Sequence, residues 1–442
     1  MSANNATPSP QELEDFRKEV TAWISANKPA DPGFLLPQSF MEVGTDDQFY
    51  FLRDWQKKVY EAGYLGMAWP KEYGGGGKPQ ALQDIVTREM VRQQTPFMTN
   101  TIGLNWAGPL ILNMGTEEQK KAYIPGILSG DDIWCQGFSE PDHGSDLGNA
   151  QLKATRDGKE FVLNGSKIWT SLGRHAKYMI LLARTNPNTN NKYEGLSFFL
   201  IPMQVPGIEV VPIKKLTGEF GFNQTFFTDA RISESCLIGK EGGGWAVAMA
   251  TLAFERGAVG GQAGGHSMNS KHVSEVVTLA KTAKRNGKPA IEDPVIRDRL
   301  VQLIMEERAQ ALNGSRARIK PLNVDRPGSI AMSGKLVGSE YQRRLNQFAL
   351  TLQGANAAYY VGDPQAYDAG LWQRSYFNAF SATIGGGTSA CSASPKAKPD
   401  THHVGHKQKT DHPFQRRTGT TARSCNKFLP RQIPDQRYTQ AN

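Results

Sequence analysis

The sequence predicts an α+β fold in three parts: an N-terminal helical domain over residues 1–130, a central β-domain over 131–240, and a C-terminal four-helix bundle over 241–389. Three observations predict it. Apolar residues recur every three to four positions up to about residue 130, gather into short β-branched and aromatic runs up to 240, and return to helical spacing afterwards. A fourth segment, 390–442, follows neither pattern.

In the first part, "PQELEDFRKEVTAWISAN" places acidic residues early and Leu13, Phe16, Val20 and Trp23 on one face. "DDQFYFLRDWQKKVYEAG" repeats the pattern and stops at a glycine. The loop "YGGGGKP" precedes further helices, through "TEEQKKAYIPGILSG". In the second part, "DIWCQGFSE", "KEFVLNGSKIWTS", "KYMILLART", "LSFFLIPM" and "IEVVPI" read as strands, separated by turn formers such as "RDGK", "NPNTNNKYEG" and "QVPG". The third part returns to helix in "WAVAMATLAFERGAVGG", "PVIRDRLVQLIMEERAQALNGSRARI" and "GSEYQRRLNQFALTLQG". Glycines 257, 260, 261, 264 and 265 disfavour helix and are read as points of close backbone packing.

Bulk properties exclude several classes. With 442 residues, 39% hydrophobic and 21% charged, the chain has the makings of a multidomain globular protein. It contains no apolar run long enough for a membrane span, and "MSANNATPSPQELEDF" lacks the basic and apolar regions of a secretory signal. Cys135, Cys236, Cys391 and Cys425 have no close spacing, which suits a reduced cytoplasm and argues against disulfides or zinc. The net charge of +9 suggests nucleic acid until it is divided along the chain. Residues 390–442 hold five Lys, five Arg and three Asp, whereas the rest carries 41 basic and 39 acidic groups. The folded body is close to neutral, and no nucleic-acid partner is expected.

Chemistry concentrates in a few stretches. "GFSEPDHGSD" (137–146) follows a strand and offers Ser139 and Ser145, and "NGSKIWTSLG" (164–173) sets Trp169 beside Thr170 and Ser171. A flat heteroaromatic cofactor needs such a surface, an indole to lie against and small donors for its edge. The same residues also fit a β-domain with polar turns and one core tryptophan.

"GFSEPDHGSD", "LNGSKIWTS", "GMAWPKEYGG" (66–75) and "TIGGGTS" (383–389), in this order on an α–β–α chain, resemble the acyl-CoA dehydrogenase family over roughly residues 10–389. The resemblance implies FAD as cofactor, α,β-desaturation of an acyl-CoA thioester in fatty acid β-oxidation, an electron-transferring flavoprotein as acceptor, and a homo-oligomer, dimer or tetramer. It implies that Phe138 and Ser139 line the isoalloxazine, that Trp169 packs on it, and that Ser171, with Thr170 beside it, donates toward flavin N5. By the same resemblance Ser145 and Arg256 contact substrate, while Gly354 and Thr388 contact the cofactor. The glycine pair usual at the first of these is Gly354–Ala355 here, and the family's Arg-x-x-Phe-Gly segment is replaced by "NGKPAIEDPVIRDRL".

Many members carry the catalytic base in a Tyr-Glu-Gly-Thr loop, where this chain has Gly385, Gly386, Gly387 and Thr388. Glu194 in "KYEGLSFF" reads instead as a hairpin carboxylate. The family's second solution puts the Glu on the first helix of the C-terminal domain, and "TLAFERG" supplies Glu255 there. Flanked by Ala253 and Phe254, such a carboxylate is desolvated once an acyl chain enters, which raises its basicity. Pairing of Glu255 with a cation is the plainer alternative. The Gly386 backbone N–H remains available to bond the thioester oxygen.

After Ser389 the family continues with an amphipathic helix, but only 13 of residues 390–442 are A, V, I, L, M, F, W, Y or C. The expectation is a basic, disordered tail, a missing last bundle helix, and a reading frame shifted after Ser389. His402, His403, His406 and His412 lack acidic or cysteine co-ligands, so no metal site is expected. Two alternatives stand beside the dehydrogenase: a catalytically impaired or regulatory paralogue, and a flavin-dependent oxidase or monooxygenase on the same scaffold.

Overall fold

A computed structural model describes residues 8–255, 271–316, 319 and 329–393. Five helices come first: α1 (Pro10–Asn27), α2 (Asp46–Glu61), α3 (Gln80–Arg92), α4 (Gly108–Met114) and α5 (Glu117–Ser129). Their starts follow from local chemistry. Ser9 and Glu12 form a reciprocal capping box on α1, with Pro10 in the first turn. Thr45 caps α2 above Asp46 and Asp47, and Thr116 and Gln119 close a second capping box on α5. Between α3 and α4 the chain makes a π-turn at Gly103–Ala107, which runs directly into α4.

Seven strands follow: β1 (Trp134–Gly137), β2 (Lys153–Asp157), β3 (Glu160–Ile168), β4 (Tyr178–Arg184), β5 (Leu196–Pro202), β6 (Ile208–Ile213) and β7 (Phe222–Ser233). They form one sheet in the order β1-β4-β2-β3-β7-β6, with β5 also paired to β4. Strands β4 and β5 run antiparallel from Tyr178↔Pro202 to Arg184↔Leu196, while β1 lies parallel to β4. Period-two alternation sorts the side chains into two cores. Trp134, Phe138, Ile180, Leu182, Phe198 and Leu200 join the N-terminal helices, and Cys135, Met179, Leu181, Phe199 and Ile201 fill the opposite side. Gly165 marks a bulge between β3 and β7 at φ +137°, where a Cβ would meet the Leu152 backbone at 3.0 Å. That close approach accounts for the glycine in "NGSK".

The C-terminal domain holds α6 (Gly244–Glu255), α7 (Val273–Thr282), α8 (Pro294–Arg316), α9 (Ser329–Gln353), α10 (Leu371–Ile384) and α11 (Ser389–Ala393), with a small hairpin at Lys284–Pro289. Helix α6 packs against the β-domain and the π-turn, while α7, α8, α9 and Trp372 share a separate core. The helix–strand–helix order is the one the sequence predicts.

Three sequence expectations need qualification. The glycines between 257 and 265 lie outside the described residues, as do the four tail histidines. The tail beyond Ala393 lies outside them too. Residues 390–393 nevertheless continue as α11, because the Thr388 hydroxyl accepts from the Cys391 N–H (3.1 Å) and caps a single turn. Glu194 is exposed in the turn between β4 and β5, where its N–H donates to the Asn191 carbonyl (2.9 Å).

Candidate active site

Strand β1 delivers the chain into Phe138, Ser139 and Glu140. Phe138 is buried with its ring edge-on to Phe198, 5.5 Å between centroids. The Ser139 carbonyl accepts from the Ile168 N–H at 2.8 Å, which lays this segment beside the end of β3. A buried ion pair reinforces the junction. Lys167 is 0% exposed, and its ammonium donates to Glu140 (2.8 Å) and to the Phe138 carbonyl (3.0 Å). The Glu140 carboxylate also accepts the N–H groups of Gln151 (2.7 Å) and Leu152 (2.9 Å). Burial alone would raise the Glu140 carboxyl, but Lys167 and these two amides hold it below its ordinary value. Burial pushes the Lys167 ammonium down to about 8 against the pull of Glu140.

Past Ile168 the backbone turns sharply. Trp169 (φ +61°) and Leu172 (φ +63°) both occupy the left-handed region, which is uncommon for such side chains. Thr170 between them is locked. Its N–H (2.9 Å) and its hydroxyl (3.0 Å) both donate to the Asn223 carbonyl, and Asn223 Nδ2 returns a bond to the Thr170 carbonyl (2.9 Å). Thr170 and Thr225 hydroxyls meet at 2.9 Å. The turn leaves the Trp169 indole half exposed, edge-on to Phe222, while Ser171 is buried beside it.

The C-terminal contribution is a loop. After α10, Gly386 (φ +66°) and Gly387 (φ +101°) take backbone conformations that L side chains rarely adopt. Two side chains of α9 hold this loop. Lys335 donates to the Gly387 carbonyl, and Glu340 accepts from the Ser389 hydroxyl at 2.7 Å. The Thr388 hydroxyl, followed by that of Ser145, holds the Cys391 thiol below its ordinary value. Farther back, α10 is anchored by Arg374, which is 1% exposed. It donates to Glu219 and to the Leu36 carbonyl (2.9 Å) and lies 3.5 Å from Glu42. Burial raises the Glu42 carboxyl despite Lys215 and Arg374 nearby.

The structure thus sets Phe138, Ser139 and Glu140 beside Lys167 and Ile168, which lead directly into Trp169, Thr170 and Ser171, and places Thr388 at the start of α11. Gly354 (φ +57°) is exposed at the end of α9 and shares no hydrogen bond with either group among the described residues. Glu255 is the last residue of α6, while its side chain and all of Arg256 lie outside the described residues. Lys167 and Glu140 were passed over at the sequence level. Their signal was a lone charge in the otherwise uncharged runs "NGSKIWTS" and "GFSEP".

The β-domain half fits a flat cofactor with a polar edge. Gln136 Nε2 is a buried donor with no partner, two residues before Phe138, and the Ser139 and Ser171 hydroxyls take no hydrogen-bond partner among the described residues. An aromatic face with unspent small donors is the donor set an isoalloxazine ring uses. Among the described residues no group of three or more His, Cys, Asp or Glu is placed to hold a metal, and no helix is long and apolar enough to cross a membrane.

Comparison with known proteins agrees with this layout. Sequence profiles for the acyl-CoA dehydrogenase N-terminal, middle and C-terminal domains match residues 36–131, 135–234 and 242–394. The acyl-CoA dehydrogenase IpdE1 of Mycolicibacterium smegmatis is 35% identical over 394 residues, 85% of this chain and 94% of that protein. Among solved structures, the Tcur3481-Tcur3483 steroid ACAD superposes with a TM-score of 0.70 at 30% identity, covering 87% of this chain and 96% of its own. The ChsE4-ChsE5 complex of Mycobacterium tuberculosis superposes with a TM-score of 0.68 at 26% identity, over 87% and 96%.

Proposed function

The chain belongs to the acyl-CoA dehydrogenase family, and we propose that it desaturates a polycyclic, steroid-derived acyl-CoA with Glu255 as the base. As an acyl-CoA dehydrogenase it is an oxidoreductase acting on a CH–CH bond. Phe138, Ser139, Trp169, Thr170, Ser171, Gly354 and Thr388 hold FAD in this reading, and Ser145 and Arg256 contact the CoA ester. When bound, FAD supplies the acceptor for the β-hydrogen and its electron pair. Glu255 takes the α-proton, and the Gly386 N–H bonds the thioester oxygen as charge develops there. The two C–H bonds break and a Cα=Cβ bond forms. An electron-transferring flavoprotein then receives the electrons, with the enzyme in the cytoplasm.

One observation carries the assignment of the base. The loop that holds the carboxylate in many members is Gly385–Gly386–Gly387 here, while α6 carries Glu255. The steroid class rests on the likeness to the Tcur3481-Tcur3483 steroid ACAD. Anaerobic addition of straight-chain, branched and polycyclic acyl-CoAs to the purified flavoprotein tests it. Fastest bleaching by the polycyclic ester is the expected result, and fastest bleaching by a straight-chain ester contradicts the substrate class. Recolouring by an electron-transferring flavoprotein but not by oxygen separates the dehydrogenase from an oxidase.

The assembly we propose is oligomeric, either with copies of itself or with a second acyl-CoA dehydrogenase chain, and the native mass of the protein expressed alone separates the two. A catalytically impaired protein is the second reading, favoured by one observation: the family match stops at residue 394, before most of the basic tail. A purified sample without a flavin spectrum would favour it. Translating the other reading frames beyond Ser389 tests the frameshift, for which an apolar helical segment must appear in one of them.

A further inference from the structure

The buried pair Lys167–Glu140 is more costly than the sheet requires. Around it β3 already pairs with β7 from Glu160↔Ser233 to Ile168↔Gln224, and Leu163, Phe161 and Ile232 fill the core without charge. Removing two charges from water is expensive, and apolar residues of similar volume often serve stability equally well. The pair's bonds show what it does instead. Lys167 reaches the carbonyl of Phe138, and Glu140 reaches back to the amides of Gln151 and Leu152 at the entrance to β2. Between them the Ile168 N–H holds the Ser139 carbonyl. Residues 138–140 lie outside any strand, yet three bonds to residues 167 and 168 fix them. Trp169, Thr170 and Ser171 follow immediately on the same chain.

We infer that Lys167 and Glu140 are positioning residues that set the two cofactor-facing segments, 138–140 and 167–171, in one fixed register. The inference rests on the reading of those segments as the FAD site. Arg184 completes the surroundings. It is buried, bonded to the carbonyls of Gly148, Ala150, Lys192 and Glu194, and close enough for its charge to act on both Lys167 and Glu140. With Lys167 replaced by Met, the Phe138 carbonyl loses its donor and the Phe138–Ser139 edge is free to shift.

The test compares Lys167→Met, Lys167→Arg and the double variant Lys167→Met/Glu140→Gln in the full chain. FAD dissociation constant, the visible circular dichroism of bound FAD, and thermal stability are measured on each. Lys167→Met leaves a lone buried carboxylate and is expected to lose both stability and cofactor. The double variant carries no unpaired charge, so it regains stability while its FAD dissociation constant stays at least about tenfold above wild type, the scale on which supporting partners act. Lys167→Arg restores part of the affinity. A double variant with wild-type affinity and dichroism would overturn the positioning role. Failure of the wild-type chain to bind FAD would overturn the cofactor reading itself, and the positioning role with it.

Discussion

The two halves of the candidate site are held in different ways. In the β-domain, Phe138–Glu140 and Lys167–Ser171 are fixed by buried groups: an ion pair and a threonine with three hydroxyl and amide bonds, beside a turn with two residues at positive φ. In the C-terminal domain, Gly385–Thr388 is an exposed glycine turn held by Lys335 and Glu340 from α9. The first half is part of the core, so its geometry is coupled to global stability. The second depends on a few partly exposed contacts and is expected to yield locally when they are removed. Damage to the two halves should therefore separate in measurement.

The largest effect is expected in the core half. Thr170→Val removes the hydroxyl bonded to Asn223 and Thr225 and leaves the latter short of a partner, at a cost of about 1–3 kcal/mol. Thermal melting should show a lowered midpoint together with weaker FAD retention. If only flavin retention changes, the coupling of this half to the core is wrong. The glycine turn should behave differently. Lys335→Met removes the partly exposed bond to the Gly387 carbonyl, worth about 1 kcal/mol, so kcat should fall by about fivefold with KM and melting temperature little changed. Equal loss of stability would place this loop in the core as well.

The smallest effect separates two buried carboxylates by pH. Glu140 titrates below its ordinary value, so its contribution is present above about pH 4.5 and is lost as pH falls through the lower folded value. Glu42 is raised by burial, so its contribution is present below about pH 4.5 and is lost as pH rises through the higher folded value. Glu42→Gln should therefore gain on wild type in melting temperature as pH climbs from 4.5 toward neutrality. A constant difference across that window would contradict the sign.

The first helix was legible from its early acidic residues and the spacing of Leu13, Phe16, Val20 and Trp23. The capping boxes Ser9–Glu12 and Thr116–Gln119 went unread although each spans only three residues. Five of the sheet's seven strands were legible from β-branched and aromatic runs and turn chemistry, and Glu194 from the turn residues around it, but β2 and the twelve-residue β7 went unread. What escaped was chemistry assembled across distance. Lys167 meets Glu140 from 27 residues away and Arg374 meets Glu219 from 155, separations at which no sequence period operates. The left-handed turn at Trp169 was also unreadable, since the sequence offers a bulky aromatic where a glycine would signal positive φ. The π-turn at Gly103–Ala107 carries no distinguishing composition. For the site itself, the motifs pointed to Ser139, Trp169 and Ser171 but gave no reason for their mutual register, which comes from buried charge.

Glu255→Gln gives the most direct test of the whole account. The variant should purify with wild-type FAD content and colour, since the change is nearly isosteric and Phe138, Ser139 and Trp169–Ser171 lie on the β-domain. Mixed anaerobically with the polycyclic acyl-CoA that bleaches wild type fastest, it should bleach slower by about 10²–10⁴-fold, the range for loss of a general base. Bleaching near the wild-type rate would contradict the assignment of Glu255 as the base.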